Sequence, residues 1–187
     1  MLPSINFQSD VENRNSAPTY GKEAGNSLRT LDKGSTMPTI TPFLWFESQA
    51  DEAMHLYCSI FKRSKVISTT KVQGRVMSVT FELEGQRFMA LNAGPMYKFN
   101  EAVSFFVAVE TQAEIDELWE KLTADGGAPG QCGWLKDRYG LSWQIIPTAL
   151  NRMIGDPDPQ KSSRAIEAML AMSKIDLPTL QRAYEGK

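Results

Sequence analysis

A short phrase, Glu47-Ser-Gln-Ala-Asp51, returns about 63 residues later as Glu110-Thr-Gln-Ala-Glu114. Each copy stands between a strand-like apolar run and an amphipathic helical run, and further strand-like runs follow both. This is the signature of an internally repeated β-α-β-β-β unit, with the second copy shorter. A sheet covered by a helix on one side must find a partner for its other side. Two such units side by side predict an α+β fold with a curved, cup-shaped mixed sheet and a cleft within it.

The elements of the first unit follow from periodicity and punctuation. Ile40–Phe46 reads as a strand, with Pro42 at its start or on an edge. A helix from about Gln49 to Phe61 is expected to be capped by Ser48, with Asp51 three residues on. Its inner face would hold Ala53, Met54, Leu56, Tyr57 and Ile60. Strands follow at Val66–Val72, Val76–Leu83 and Arg87–Asn92, the last two joined by the hairpin signal Glu84-Gly85.

In the second unit Val103–Val109 is a strand. Thr111 with Glu114 forms a capping box for a helix carrying Ile115, Leu118, Trp119 and Leu122 on one face. Gly126-Gly127 ends that helix, and Gly133–Lys136 and Leu141–Pro147 are strands around the turn Asp137-Arg-Tyr-Gly140. Further on, Asp158 and Pro159 set a helix start. That helix is expected to run to about Ser173 with Ile166, Met169, Leu170 and Ser173 on one stripe, packed on its own domain or on a second subunit. Asp176 opens a short last helix with Leu180, Ala183 and Tyr184.

The rest of the chain bounds what these units can do. Residues 1–36 hold ten apolar residues and many Asn, Ser and Gly. Such a stretch cannot bury enough surface to offset chain entropy and reads as a disordered tail. It shows no apolar signal region, and its four acidic residues disfavour a transit peptide. The expected organisation is therefore the tail 1–36, a domain at 37–150 opened by Met37, and a helical extension at 151–187. No window approaches the roughly 18–20 consecutive apolar residues that span a bilayer, so no membrane partner is expected. Lys and Arg number 20 against 22 Asp and Glu, a net charge of −2 with no cationic face for a phosphate backbone, so no nucleic acid is expected. Cys58 and Cys132 form no C-x-x-C pair and read as reduced thiols in a cytoplasmic protein, their contact left open. His55, the single histidine, lies one helical turn from Cys58, two potential ligands without a third.

Phe43-Leu-Trp-Phe46, the Tyr57-containing helix, Gly85-Gln-Arg-Phe-Met-Ala-Leu-Asn-Ala-Gly-Pro95, Phe99-Asn-Glu-Ala102 and Cys132-Gly-Trp-Leu-Lys-Asp-Arg-Tyr-Gly-Leu-Ser-Trp-Gln-Ile-Ile-Pro147 together resemble the PhnB-like family. That family carries the domain name 3-demethylubiquinone-9 3-methyltransferase. It sits in the vicinal oxygen chelate superfamily with glyoxalase I, bleomycin-resistance proteins and extradiol dioxygenases. The resemblance spans about residues 38–150 and implies paired β-α-β-β-β units, a homodimer and a small-molecule cup.

Metal-dependent relatives place His, Glu or Gln on the first and last strand of each unit. The resemblance puts Pro42, then Ala90 or Asn92, then Ser104, then Gln144 at those places. Only Gln144 keeps ligand character, so no metal is expected. The methyltransferase label implies S-adenosylmethionine, yet neither strand-to-helix turn holds a glycine, so no cofactor is expected either. Alternation along the strands would line the cleft with Leu44, Phe46, Ser104, Phe106 and Ile146, with amides from Asn92 and Gln144 and with Trp134 closing one side. If Gln144 faces the cleft, Trp143 belongs beneath the helix layer. The expected ligand is small and partly aromatic or acyl, and not strongly anionic. Three classes stay open: a binding protein, a metal-independent enzyme using Gln144, Glu101 or Asn92, and a methyltransferase.

Overall fold

The computed structural model describes residues 39–187, so the expected disordered tail and the role of Met37 lie outside the described residues. The first unit comprises β1 (Phe43–Phe46), α1 (Ala50–Ile60), β2 (Ser64–Val72), β3 (Arg75–Leu83) and β4 (Gln86–Asn92). The second comprises β5 (Ser104–Val109), α2 (Gln112–Thr123), β6 (Ala128–Pro129), β7 (Trp134–Lys136) and β8 (Ser142–Pro147). Strand order is β1-β4-β3-β2 in one sheet and β5-β8-β7-β6 in the other. In both, the first strand runs parallel to the last and the other neighbours are antiparallel. The repeat is thus a repeat of topology. β6 is two residues long and had no pattern to announce it, since Ala128-Pro129 reads as turn chemistry.

Local chemistry accounts for most boundaries. Glu84 and Gly85 both take positive φ, the two-residue turn that suits the twist of a hairpin. Thr111 and Glu114 close a full capping box on α2. The start of α1 differs from expectation: Ser48 makes no cap. Asn92, at the end of β4, accepts the Ala50 N–H at 2.7 Å through Oδ1 and donates to the Val76 carbonyl at 3.1 Å.

One face of each sheet enters a single core. Val79, Phe81, Leu83, Phe88 and Ala90 lie beneath α1, and Val109, Leu135, Trp143 and Ile145 lie on the covered side of the second sheet. The units meet through edge-to-face and stacked rings. Phe88 meets Phe105 at 5.0 Å, Tyr57 meets Trp143 at 5.3 Å, and Phe61 stacks on Trp143 at 5.4 Å. The opposite faces are open over much of their area, although Ser142 and Ile146 on the second are buried. At the edge of the first sheet, β2 is exposed on both faces over nearly its whole length, Val66, Ile67 and Val72 included.

Three helices complete the chain: α3 (Thr148–Ile154), α4 (Pro159–Leu170) and α5 (Leu177–Glu185). Asp158 and Asp176 cap the last two as expected, whereas the seven-residue α3 was not foreseen. The expected stripe on α4 is corrected. Leu170 is 60% exposed, and the fully buried residue is Ala165. A small side chain there lets the helices approach closely, while Arg164 donates to the carbonyls of Ala183 and Tyr184. The segment after α4 ties onto the second unit, its Met172 and Ser173 carbonyls accepting from the N–H groups of Cys132 and Gly133.

Candidate functional site

The open face of the second sheet is built in rows. Register sets Gln144 between Phe106 on β5 and Trp134 on β7, and sets Ser142 between Ser104 and Lys136. Gln144 Nε2 donates to Ser104 Oγ at 2.8 Å, which fixes the amide above the strand and leaves its carbonyl oxygen for other donors. Phe106 is 52% exposed. Ser142 is buried, and its hydroxyl is the buried side-chain polar atom without a partner among the described residues. Glu101, at the entry to β5, is exposed and ion-paired to Lys136. That hydrogen bond from the lysine holds its carboxyl below the usual range, so Glu101 is an ionised acceptor and a weakened base.

The first sheet has a matching open face with different chemistry. Its rows are Phe43–Met89–Thr80 and Trp45–Leu91–Ser78. Trp45 donates to the Gly94 carbonyl and meets the Tyr97 ring edge-to-face at 4.9 Å.

Only part of the expected lining is therefore brought together. Ser104, Phe106, Trp134 and Gln144 share one face. Leu44 and Phe46 do not: they are buried against the helix side, in register with Ala90 and Asn92, and it is Phe43 and Trp45 that face outward. Ile146 is buried, its Cδ1 beside Gly133, where an added Cβ would meet it at 2.6 Å. Asn92 is spent on the start of α1 and is not free to act on a substrate.

The positions where metal-dependent relatives place ligands do not converge. Ala90 is buried under α1, Pro42 borders a groove between the units, and Ser104 and Gln144 bond to each other. Among the described residues no three His, Cys, Asp or Glu side chains stand close enough to hold an ion. His55 is exposed, and Cys58 and Cys132 are free, half-buried thiols raised above their ordinary pKa by burial. The donor set does not fit a divalent metal. S-adenosylmethionine fits no better at the strand-to-helix turns, which hold no glycine and where Asn92 already takes the Ala50 N–H and Glu114 those of Glu110 and Thr111.

Two features were not anticipated. One is Asp137, which reads as an ordinary turn residue. It is 2% exposed, and Oδ2 accepts from Tyr57 Oη at 2.7 Å and Trp143 Nε1 at 2.9 Å. Oδ1 accepts from the N–H groups of Tyr139 and Leu141. Burial pushes its carboxyl pKa up, against the pull of these four donors. Burial, then the Asp137 charge, raises Tyr57 well above the phenolic range. The other is a groove of about 740 Å³ between the units, bordered by Phe61, Phe88, Phe105 and Trp143, with α2 as its far wall. Of the expected lining, only Phe106 touches it. The aromatic residues of the covered faces were the available signal for the groove; Asp137 carried none.

The family described as 3-demethylubiquinone-9 3-methyltransferase matches residues 38–146. Among solved structures, a putative 3-demethylubiquinone-9 3-methyltransferase, PhnB protein, from Bacillus cereus is similar at 35% identity and a TM-score of 0.56, over 59% of this chain and 100% of that one. A protein of Pseudomonas aeruginosa is similar at 20% identity and a TM-score of 0.48, over 59% and 98%. A glyoxylase/bleomycin resistance protein/dioxygenase domain from Frankia shares 14% identity and a TM-score of 0.42, over 60% and 93%. The curated proteins offer no match. No helix among the described residues is long and apolar enough to cross a membrane.

Proposed function

The chain belongs to the 3-demethylubiquinone-9 3-methyltransferase, or PhnB-like, family, and on that premise we propose that it binds a small, largely apolar molecule on the open face of its second sheet, in a cavity closed by a second copy of the chain. The observation that carries this reading is the row Phe106–Gln144–Trp134: an oriented amide flanked by an exposed and a half-buried aromatic side chain, neither part of the core. A sheet face alone is a floor without walls, and ligand sites are concave. A second copy supplies the wall when the outward Phe43, Trp45 and Leu91 of its first unit face this row.

Charge supports that pairing. Residues 39–100 carry seven Lys and Arg against five Asp and Glu, and residues 101–150 carry three against eight. The first unit of one copy therefore attracts the second unit of another, and like units repel. Binding without turnover is the favoured class, since Asn92 is committed to a helix start and Glu101 is a weakened base. The free thiols suit a reducing cytoplasm.

Light scattering at micromolar concentration is expected to give a dimer. In a thermal-shift series with neutral aryl and acyl amides, headed by N-phenylacetamide, the wild type is expected to gain Tm and Gln144→Ala to gain none, with its unliganded Tm unchanged. A monomer overturns the closing copy, and equal shifts in the variant overturn the site.

A further inference from the structure

The groove between the units shares Phe106 with the row just described but is otherwise lined by different residues and has its own chemistry. Its floor is a run of rings, Phe61 stacked on Trp143 and Phe105 between Trp143 and Phe88. Its volume of about 740 Å³ falls in the range of small-molecule sites. One long wall is β5, bordered at five successive residues, and the opposite wall is α2 with Leu118.

The charged groups at the mouth sort into committed and uncommitted. Glu84 is ion-paired to Arg63 at 2.7 Å, and Glu117 to Lys121 at 2.6 Å. The Glu114 carboxylate accepts from the N–H groups of Glu110 and Thr111, which holds its pKa below the usual range. Every carboxylate on the rim thus has its donors. Lys62, in the turn after α1, borders the groove; its ammonium makes no direct ion pair or hydrogen bond among the described residues, though its charge helps to lower the pKa of Glu114 and Glu117. The mouth therefore offers one ammonium donor with no direct partner above an aromatic floor, beside carboxylates that already accept from other groups.

We infer that this groove is a second binding site, for a flat aromatic molecule bearing a single carboxylate, with its ring laid against the floor of Phe61, Phe88, Phe105 and Trp143 and its carboxylate on Lys62. Ring stacking supplies apolar burial with defined geometry. The charge-assisted bond to Lys62 selects the acid over its neutral amide.

The probes are naphthalene-2-carboxylate and naphthalene-2-carboxamide, titrated by calorimetry into the full chain. The acid is expected to bind once per chain, about tenfold tighter than the amide, the factor that corresponds to ~1.4 kcal/mol. Lys62→Gln, an exposed position, is expected to bring the acid down to the affinity of the amide and leave the amide unchanged. Gln144→Ala is expected to alter neither. Equal affinities in the wild type, an unaltered acid affinity in Lys62→Gln, or no saturable binding below millimolar concentration each overturn the inference. Loss of acid binding in Gln144→Ala also overturns it, by moving the probe to the open face; a failure of the open-face site alone leaves these titrations as expected.

Discussion

In the first unit the helix begins on a bond brought from 42 residues away, Asn92 to Ala50, whereas in the second it begins on Thr111 and Glu114, its own first turn. The sheets differ in the opposite sense. The first is long-stranded and complete within its unit, with β2 and β3 of nine residues each. The second has β6 and β7 of two and three residues, and the segment after α4 bonds to the adjacent Cys132 and Gly133. A repeated topology therefore does not require repeated stabilisation. One copy secures its helix through its completed sheet; the other secures its helix locally and draws support from the C-terminal helices.

The bond that unites the copies offers the strongest test of this contrast. Trp143 touches Tyr57, Phe61 and Phe105 and donates to Asp137, so it belongs to both units at once. Trp143→Ala is expected to cost about 3–5 kcal/mol in chemical denaturation, as large-to-small core changes do. It should do so in a single transition, because the two units share one core. Two separated transitions in the wild type would break the comparison by showing the units to be independent.

The helix starts give the next effect. Asn92→Ala removes a cap and also orphans the Val76 carbonyl, for an expected loss of about 2 kcal/mol. Thr111→Ala at the matching place removes an exposed cap and is expected to cost about 1 kcal/mol. Equal losses would mean that distance along the chain does not matter to how these helices are held.

The smallest signal is expected from pH. The folded pKa of Asp137 lies above the ordinary aspartate value of about 3.9, chiefly through burial. A raised folded pKa contributes stability that is complete below the unfolded pKa and lost as pH rises through the folded one. The stability difference between wild type and Asp137→Asn is therefore expected to shrink as pH rises from about 4. A difference that stays flat, or widens, would show that the four donors outweigh burial.

The sequence made one open face legible and left the other obscure, for a physical reason. In β8 the alternation sets Ser142 and Gln144 against Trp143 and Ile145, so polarity separates the two sides. In β1 the residues are Phe43, Leu44, Trp45 and Phe46, apolar at every step, and no polar residue breaks the tie between faces. Alternation alone therefore sets Leu44 and Phe46 on the outer side, where the fold sets Phe43 and Trp45. The capping box, the Glu84-Gly85 hairpin and the caps at Asp158 and Asp176 were readable because each is complete within a few residues. Asn92 and Asp137 were not, since the Ala50 N–H that Asn92 caps lies 42 residues away and the Tyr57 hydroxyl that reaches Asp137 lies 80 away. Such roles exist only once the chain has folded.

The exposed β2 has a consequence for handling the protein. A nine-residue strand with an unoccupied rung of amide and carbonyl groups is a template on which another extended chain can grow. Lys65 and Lys71, together with two irregularities in the pairing with β3, oppose that growth by charge and by misfit. Neutralising those lysines would turn a solvated margin of the molecule into a seed for filaments, with no loss of anything inside the fold.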